Sequence, residues 1–81
     1  MIKDKILKHG KRWQKNNMDR VYMNYSDLAD VEVDDFTMYS MFNRFQRNNM
    51  KIYYDLVKDE FVVTTADDEQ KAFVEKVIEA L

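Results

Sequence analysis

The chain predicts an α+β domain, a small antiparallel sheet packed with three to four helices. The sheet consists of a hairpin at about residues 51–64 and a short strand at about 20–24. Three observations carry this. Phe73, Val74, Val77, Ile78 and Leu81 fall on one helical stripe near the C-terminus. The run from Lys51 to Thr64 alternates in polarity, turns at Lys58-Asp59 and returns through the β-branched Val62-Val63-Thr64. At the other end, Ile2, Ile6, His9 and Trp13 are spaced four, three and four, the period of an amphipathic helix. The order is α-β-α-α-β-β-α over a single domain, residues 1–81.

Size limits how such a domain can be held together. A chain of 81 residues buries only about 60–65% of its unfolded surface, so its margin of stability is thin. There is no cysteine, which removes disulfides and thiolate metal ligands alike. Stability must come from packing, and five Phe, five Tyr, one Trp and six Met supply the material. With 46% apolar and 35% charged residues, the composition is that of a folded protein rather than a disordered one.

Taken in order, the first helix covers the stripe from Ile2 onward. Two readings compete at its end. One carries it through Gly10, at a cost of about 1 kcal/mol relative to Ala, to about Lys15. The other stops at Gly10 and makes Lys11–Lys15 a strand, hairpinned through Asn16-Asn17 onto Arg20–Asn24. Arg20–Asn24 is itself a short strand, with Val21 and Met23 on one face and Tyr22 on the other. Ser26 is a suitable N-cap for a short helix from Asp27 to about Val31. Asp30–Asp35 reads as a turn or linker, with Asp34 or Asp35 capping a helix over residues 36–47. Met38, Tyr39, Phe42 and Phe45 form the apolar face of that helix, and Asn48-Asn49 ends it. Thr65, with Asp68 three residues later, resembles a capping box for a final helix over Ala66–Leu81.

One repeat runs through this plan. Arg12-Trp13-Gln14-Lys15-Asn16-Asn17-Met18 returns as Arg44-Phe45-Gln46-Arg47-Asn48-Asn49-Met50, identical at five of seven positions. In its second copy the segment finishes a helix, which favours the helical reading of Lys11–Lys15 in the first. Both copies then become helix-to-strand corners, with Trp13 and Phe45 turned into the core. The alternative is a shared nucleic-acid-binding motif in which Trp13 stacks on a base.

Catalytic constellations are sparse. His9 is the single histidine and lies on an apolar stripe, where a structural role outweighs general-base chemistry. One glycine cannot build a phosphate loop. Asp30, Glu32 and Asp34 alternate like calcium-loop ligands, but Asp35 replaces the needed glycine and Met41 the bidentate glutamate. No enzyme activity, cofactor or metal is expected.

Binding is therefore the expected class of function. The net charge of −2 hides a gradient, from +5 over residues 1–20 to −4 over residues 60–81. A surplus of Tyr and Met suits an adaptable protein interface. Asp30, Glu32, Asp34 and Asp35 form a candidate patch for a basic protein partner, with Tyr22 and Tyr53 as exposed aromatic candidates. The expected role is a cytosolic adaptor, inhibitor or regulator that binds another protein. No secretory leader or run of about 18 apolar residues points to a membrane.

The order of elements resembles that of a winged-helix domain with one added C-terminal helix. That resemblance implies a recognition helix at 36–47 and a wing at Lys51–Thr64. Nucleic acid would then be bound by Thr37, Ser40, Arg44 and Arg47, helped by Lys11, Arg12 and Lys15 in the basic N-terminal segment. A third reading has apolar surface on the last helix forming a homodimer.

Overall fold

The computed structural model describes residues 1–64 and 66–81. It is an α+β domain with a four-stranded antiparallel sheet, a separate two-stranded hairpin and four helices. Helix α1 (Ile2–His9) leads into β1 (Lys11–Lys15) and β2 (Met18–Met23). After α2 (Tyr25–Leu28) come β3 (Glu32–Val33), β4 (Phe36–Thr37) and α3 (Tyr39–Arg47). The chain closes with β5 (Ile52–Asp55), β6 (Glu60–Val63) and α4 (Asp68–Glu79). The sheet order is β1-β2-β5-β6.

The N-terminal helix does not continue to Lys15. It ends at Gly10, and Lys11–Lys15 is a strand paired with β2 from Lys11 opposite Tyr22 to Lys15 opposite Met18. Asn16 and Asn17 both have positive φ, 50° and 66°, the requirement of a two-residue type I′ turn whose twist suits a hairpin. Gly10 does not serve here as a flexible joint, because its φ is an ordinary −88°. It lies where β2 passes closest. A β-carbon there would sit 2.6 Å from Val21 Cγ1 and 2.8 Å from the carbonyl oxygens of Ile6 and Tyr22.

In the second copy of the repeat the same residue types close a helix. The Met50 amide donates to the Phe45 carbonyl at 2.9 Å, and the Asn49 amide to that of Gln46 at 3.1 Å. With Asn49 at φ 53° this is a Schellman motif, and both Phe45 and Met50 are buried in the core. The repeat is thus one strand-turn-strand and one helix terminus, not two matching corners. Trp13, expected in the core, stands on β1 with 38% of its surface exposed.

Other boundaries shift for local reasons. Asn24, not Ser26, precedes the short helix α2. Asp34 and Asp35 do not cap a helix. At φ 53° and 67° they form the turn between Val33 and its partner Phe36, and α3 starts only at Tyr39. The cap of α4 is Asp67, whose carboxylate accepts from the Gln70 amide at 2.8 Å while Gln70 Oε1 accepts from the Asp67 amide at 3.3 Å. Asp68 and Glu69 then lie in its first turn, favourable to the helix dipole. The expected cap at Thr65 lies outside the described residues.

The core gathers on one face of the sheet. Val21, Met23, Ile52, Tyr54, Phe61 and Val63 alternate toward Ile6 of α1, Leu28, Met38, Phe45 and the α4 residues Val74, Val77 and Ile78. The apolar stripe of α4 therefore serves the core. Both ends of the chain are tied to each other as well, since Lys5 Nζ donates to the Leu81 carbonyl.

Candidate functional site

Two surfaces gather the side chains capable of recognition. The first is built by the β3–β4 hairpin. Its turn needs two consecutive residues that tolerate the left-handed region, and Asp34-Asp35 supply them. Pairing then sets Val33, partly buried against the core, opposite Phe36. Phe36 remains 63% exposed, and Tyr39, at the start of α3, is 68% exposed. The Tyr39 ring stacks on Phe42 at 6.4 Å between centroids. Phe36, Ser40, Met41, Arg44 and Phe73 line an open cleft of about 360 Å³ between the hairpin, α3 and α4.

The hairpin beside this surface is acidic. Asp30, Glu32, Asp34 and Asp35 are all exposed, the last three on the hairpin and Asp30 just before it. Asp34 also pairs with Lys76 Nζ of α4 at 3.0 Å, tying the hairpin to the domain. That ion pair is open to solvent, so it is worth at most a fraction of a kcal/mol, ~0.2–1. Of the four candidate acids, Asp34 and Asp35 make the turn, Glu32 stands on β3 opposite Thr37, and Asp30 precedes the hairpin.

The second surface is the outer face of the sheet. Tyr22 and Tyr53 are direct cross-strand partners with ring centroids 5.0 Å apart. Tyr53 is not the exposed candidate that alternation implied. Only 8% of it is accessible, because the Arg20 guanidinium lies 4.6 Å from its ring centre and Tyr22 covers its side. Arg20 Nη1 also donates to the Tyr22 hydroxyl at 3.0 Å, which holds the guanidinium even more firmly protonated than usual. Trp13 meets Tyr22 edge-on at 6.4 Å. Trp13 and Tyr22, rather than Tyr53, are the rings this face offers.

The residues named for nucleic-acid binding fall on three elements, β1, β4 and α3. Thr37 belongs to β4, and its carbonyl accepts from the Ser40 hydroxyl at 2.7 Å. Arg44 lines the Phe36 cleft, and Arg47 is exposed in the last turn of α3. Lys11 and Lys15 share the outer face of β1 with Trp13. Arg12 points to the opposite side and makes a bidentate pair with Asp19 at 2.9 and 2.7 Å. That hydrogen bonding holds the Asp19 carboxyl below its ordinary range.

His9 is exposed in the last turn of α1, at the helix end that favours a cation. Among the described residues, no group of three or more His, Cys, Asp or Glu side chains could hold a metal ion. Among the same residues, no helix is long and apolar enough to cross a membrane.

Reasoning from sequence missed the Phe36 cleft. The signal was present in Val33-Asp34-Asp35-Phe36, where two αL-tolerant residues stand between two apolar ones, the pattern of a tight hairpin. Comparison with protein-family models, with curated proteins and with solved structures finds no match for the chain.

Proposed function

We propose that the protein is a non-enzymatic interaction module of the cytosol that binds a basic, partly apolar segment of another protein across the β3–β4 hairpin and α3. The observation that carries this reading is the exposure of Phe36 and Tyr39, at 63% and 68%, beside a hairpin whose strand and turn carry the exposed Glu32, Asp34 and Asp35. Aromatic, Met and Arg side chains dominate the energetics of protein interfaces, and Phe36, Tyr39, Met41 and Arg44 supply all three kinds. The acids add steering toward a cationic partner and penalise an anionic one.

Peptide display on the immobilised protein tests this. Selection is expected to enrich sequences in which Lys or Arg alternate with apolar residues. Phe36→Ser with Tyr39→Ser is expected to abolish the enrichment. Removing charge while keeping the turn, through Asp30→Asn, Glu32→Gln, Asp34→Asn and Asp35→Asn, is expected to remove the preference for basic peptides. Enrichment of acidic sequences, or retention by the double aromatic variant, would show the assignment to be wrong.

A second reading keeps the winged-helix mode of duplex binding. It rests on Arg44 and Arg47, one turn apart and exposed on α3. Duplex affinity would then fall steeply with salt, because each phosphate contact releases counterions. No duplex binding at low salt would eliminate it.

A further inference from the structure

The outer face of the sheet has a chemistry of its own, separate from the Phe36 cleft. Pairing aligns Lys11, Tyr22, Tyr53 and Val62 in one row across the four strands. The next row reads Trp13, Arg20, Asp55 and Glu60. The helices that contact the sheet lie against its other face, where the core residues point. Lys15 continues the outer side of β1, and Lys51 continues that of β5 beside Tyr22.

Charge on this face leans positive despite the net charge of −2 on the whole chain. Lys11, Lys15, Arg20 and Lys51 are set against Asp55 and the exposed Glu60 at the far strand β6. Its buried acid, Asp55, is 7% exposed and has its Oδ1 occupied by the amides of Val57 and Lys58 at 3.0 and 3.1 Å. Lys11, Lys15 and Lys51 form no ion pair among the described residues. Flat rings flanked by free lysines fit a polyanion that also carries flat apolar groups.

We propose that this face binds single-stranded nucleic acid. Trp13 and Tyr22 are the stacking platforms, and Lys11, Lys15 and Lys51 contact phosphates. Arg20 and Tyr53 form the layer beneath and hold Tyr22 in place. A sheet surface with projecting aromatics suits unpaired bases, since every base has a stackable face, whereas paired bases in a duplex are closed to stacking. A cleft of about 310 Å³, lined by Tyr22, Asn24, Tyr25 and Lys51, continues the surface past Tyr22. It gives the strand a path off the platform.

Trp13 is the only tryptophan, so its emission reports the site directly. Labelled oligouridylate and oligothymidylate, titrated into the intact chain at low salt, are expected to raise anisotropy and quench Trp13 emission in parallel. Trp13→Ala should weaken binding about tenfold or more, and Trp13→Phe should retain most of it. Three phosphate contacts give a slope of log affinity against log salt of about −2, and Lys11→Gln with Lys15→Gln and Lys51→Gln should flatten it. Far-ultraviolet circular dichroism confirms that each variant is folded, and Phe36→Ser with Tyr39→Ser should bind the oligomers like the parent. The proposal is overturned by the absence of saturable binding at low salt, by binding without Trp13 quenching, or by equal affinity for a duplex. It is equally overturned if polyglutamate competes as well as the oligomers, which would point to an acidic protein segment. Only preference between the two oligomers decides RNA against DNA.

Discussion

Asn17 and Asn49 hold equivalent places in a repeated segment and share the left-handed backbone, φ 66° and 53°, yet one closes a hairpin and the other a helix. The hairpin needs two such residues in succession, while the helix terminus needs one. Asn17→Ala is expected to lose up to about 1–2 kcal/mol, since both residues carry a β-carbon but only the short amide side chain offsets the strain of this region by local hydrogen bonding. Asn17→Gly is expected to match or exceed the parent, since Asn-Gly is the favoured pair for this turn. Urea midpoints of the two variants check the pair, and a stable Asn17→Ala would refute the assigned turn.

Gly10 is fixed by proximity rather than by backbone angle. Gly10→Ala places a carbon 2.6 Å from Val21 Cγ1 and 2.8 Å from two carbonyl oxygens, of which only the methyl group can yield easily. The expected loss is about 1–3 kcal/mol, the usual range for overpacking. In a helix continuing through this residue, alanine would instead stabilise. Thermal or urea unfolding therefore decides between the two by sign.

Lys3 of α1, Tyr54 of β5 and Asp59 of the β5–β6 loop form one small polar cluster. Asp59 Oδ1 accepts from the Tyr54 hydroxyl at 2.7 Å and from Lys3 Nζ at 3.0 Å. These bonds hold the Asp59 carboxyl below the ordinary range, the phenol first and the lysine second. The same carboxylate pushes the Tyr54 phenol up from its usual value. A depressed carboxyl stabilises the fold above its unfolded pKa, about 3.9, and that contribution fades as pH falls through the folded value. A raised phenol stabilises below its unfolded pKa of about 10 and loses that contribution as pH rises through the folded value. Asp59→Asn keeps the left-handed position, φ 54°. It should flatten the acid limb of a stability–pH curve and bring the phenol titration down toward normal, as read by ultraviolet absorbance. An unchanged phenol titration would exclude the Tyr54–Asp59 bond.

Tyr25 packs edge-on against Phe42 and Phe45, at 5.7 and 5.8 Å, with its hydroxyl buried and unpartnered among the described residues. Burial pushes this phenol up as well. Tyr25→Phe removes the orphaned hydroxyl and keeps the ring, so stability should rise by about 1 kcal/mol. A loss of that size in calorimetry would mean that the hydroxyl has a partner.

Legibility from sequence followed the range of the interactions involved. The β5–β6 hairpin and α4 were plain because their apolar patterns are local and repeat several times. Phe45, Val21 and Met23 were placed inward for the same reason. Residues 11–15 were misread because their fate depends on β2, whose pairing outweighs the helical spacing of Trp13. Tyr53 looked exposed because alternation ignores same-face neighbours, and Arg20 and Tyr22 cover it. The four acids of the candidate site were found by composition. The exposure of Phe36 and Tyr39 was not legible. Phe36 was expected to open a helix where the tight Asp34-Asp35 turn makes it a strand, and Tyr39, helical as expected, was placed on the apolar face of that helix.

Strand β1 ends the sheet, so one side of its backbone has no strand to pair with among the described residues. An unpaired row of amides and carbonyls is a template on which another chain can polymerise. Three of its five residues, Lys11, Arg12 and Lys15, are cations, and an incoming copy of β1 would bring the same three against them. Self-association through this border is thereby opposed by charge, and the protection weakens wherever a polyanion neutralises the lysines.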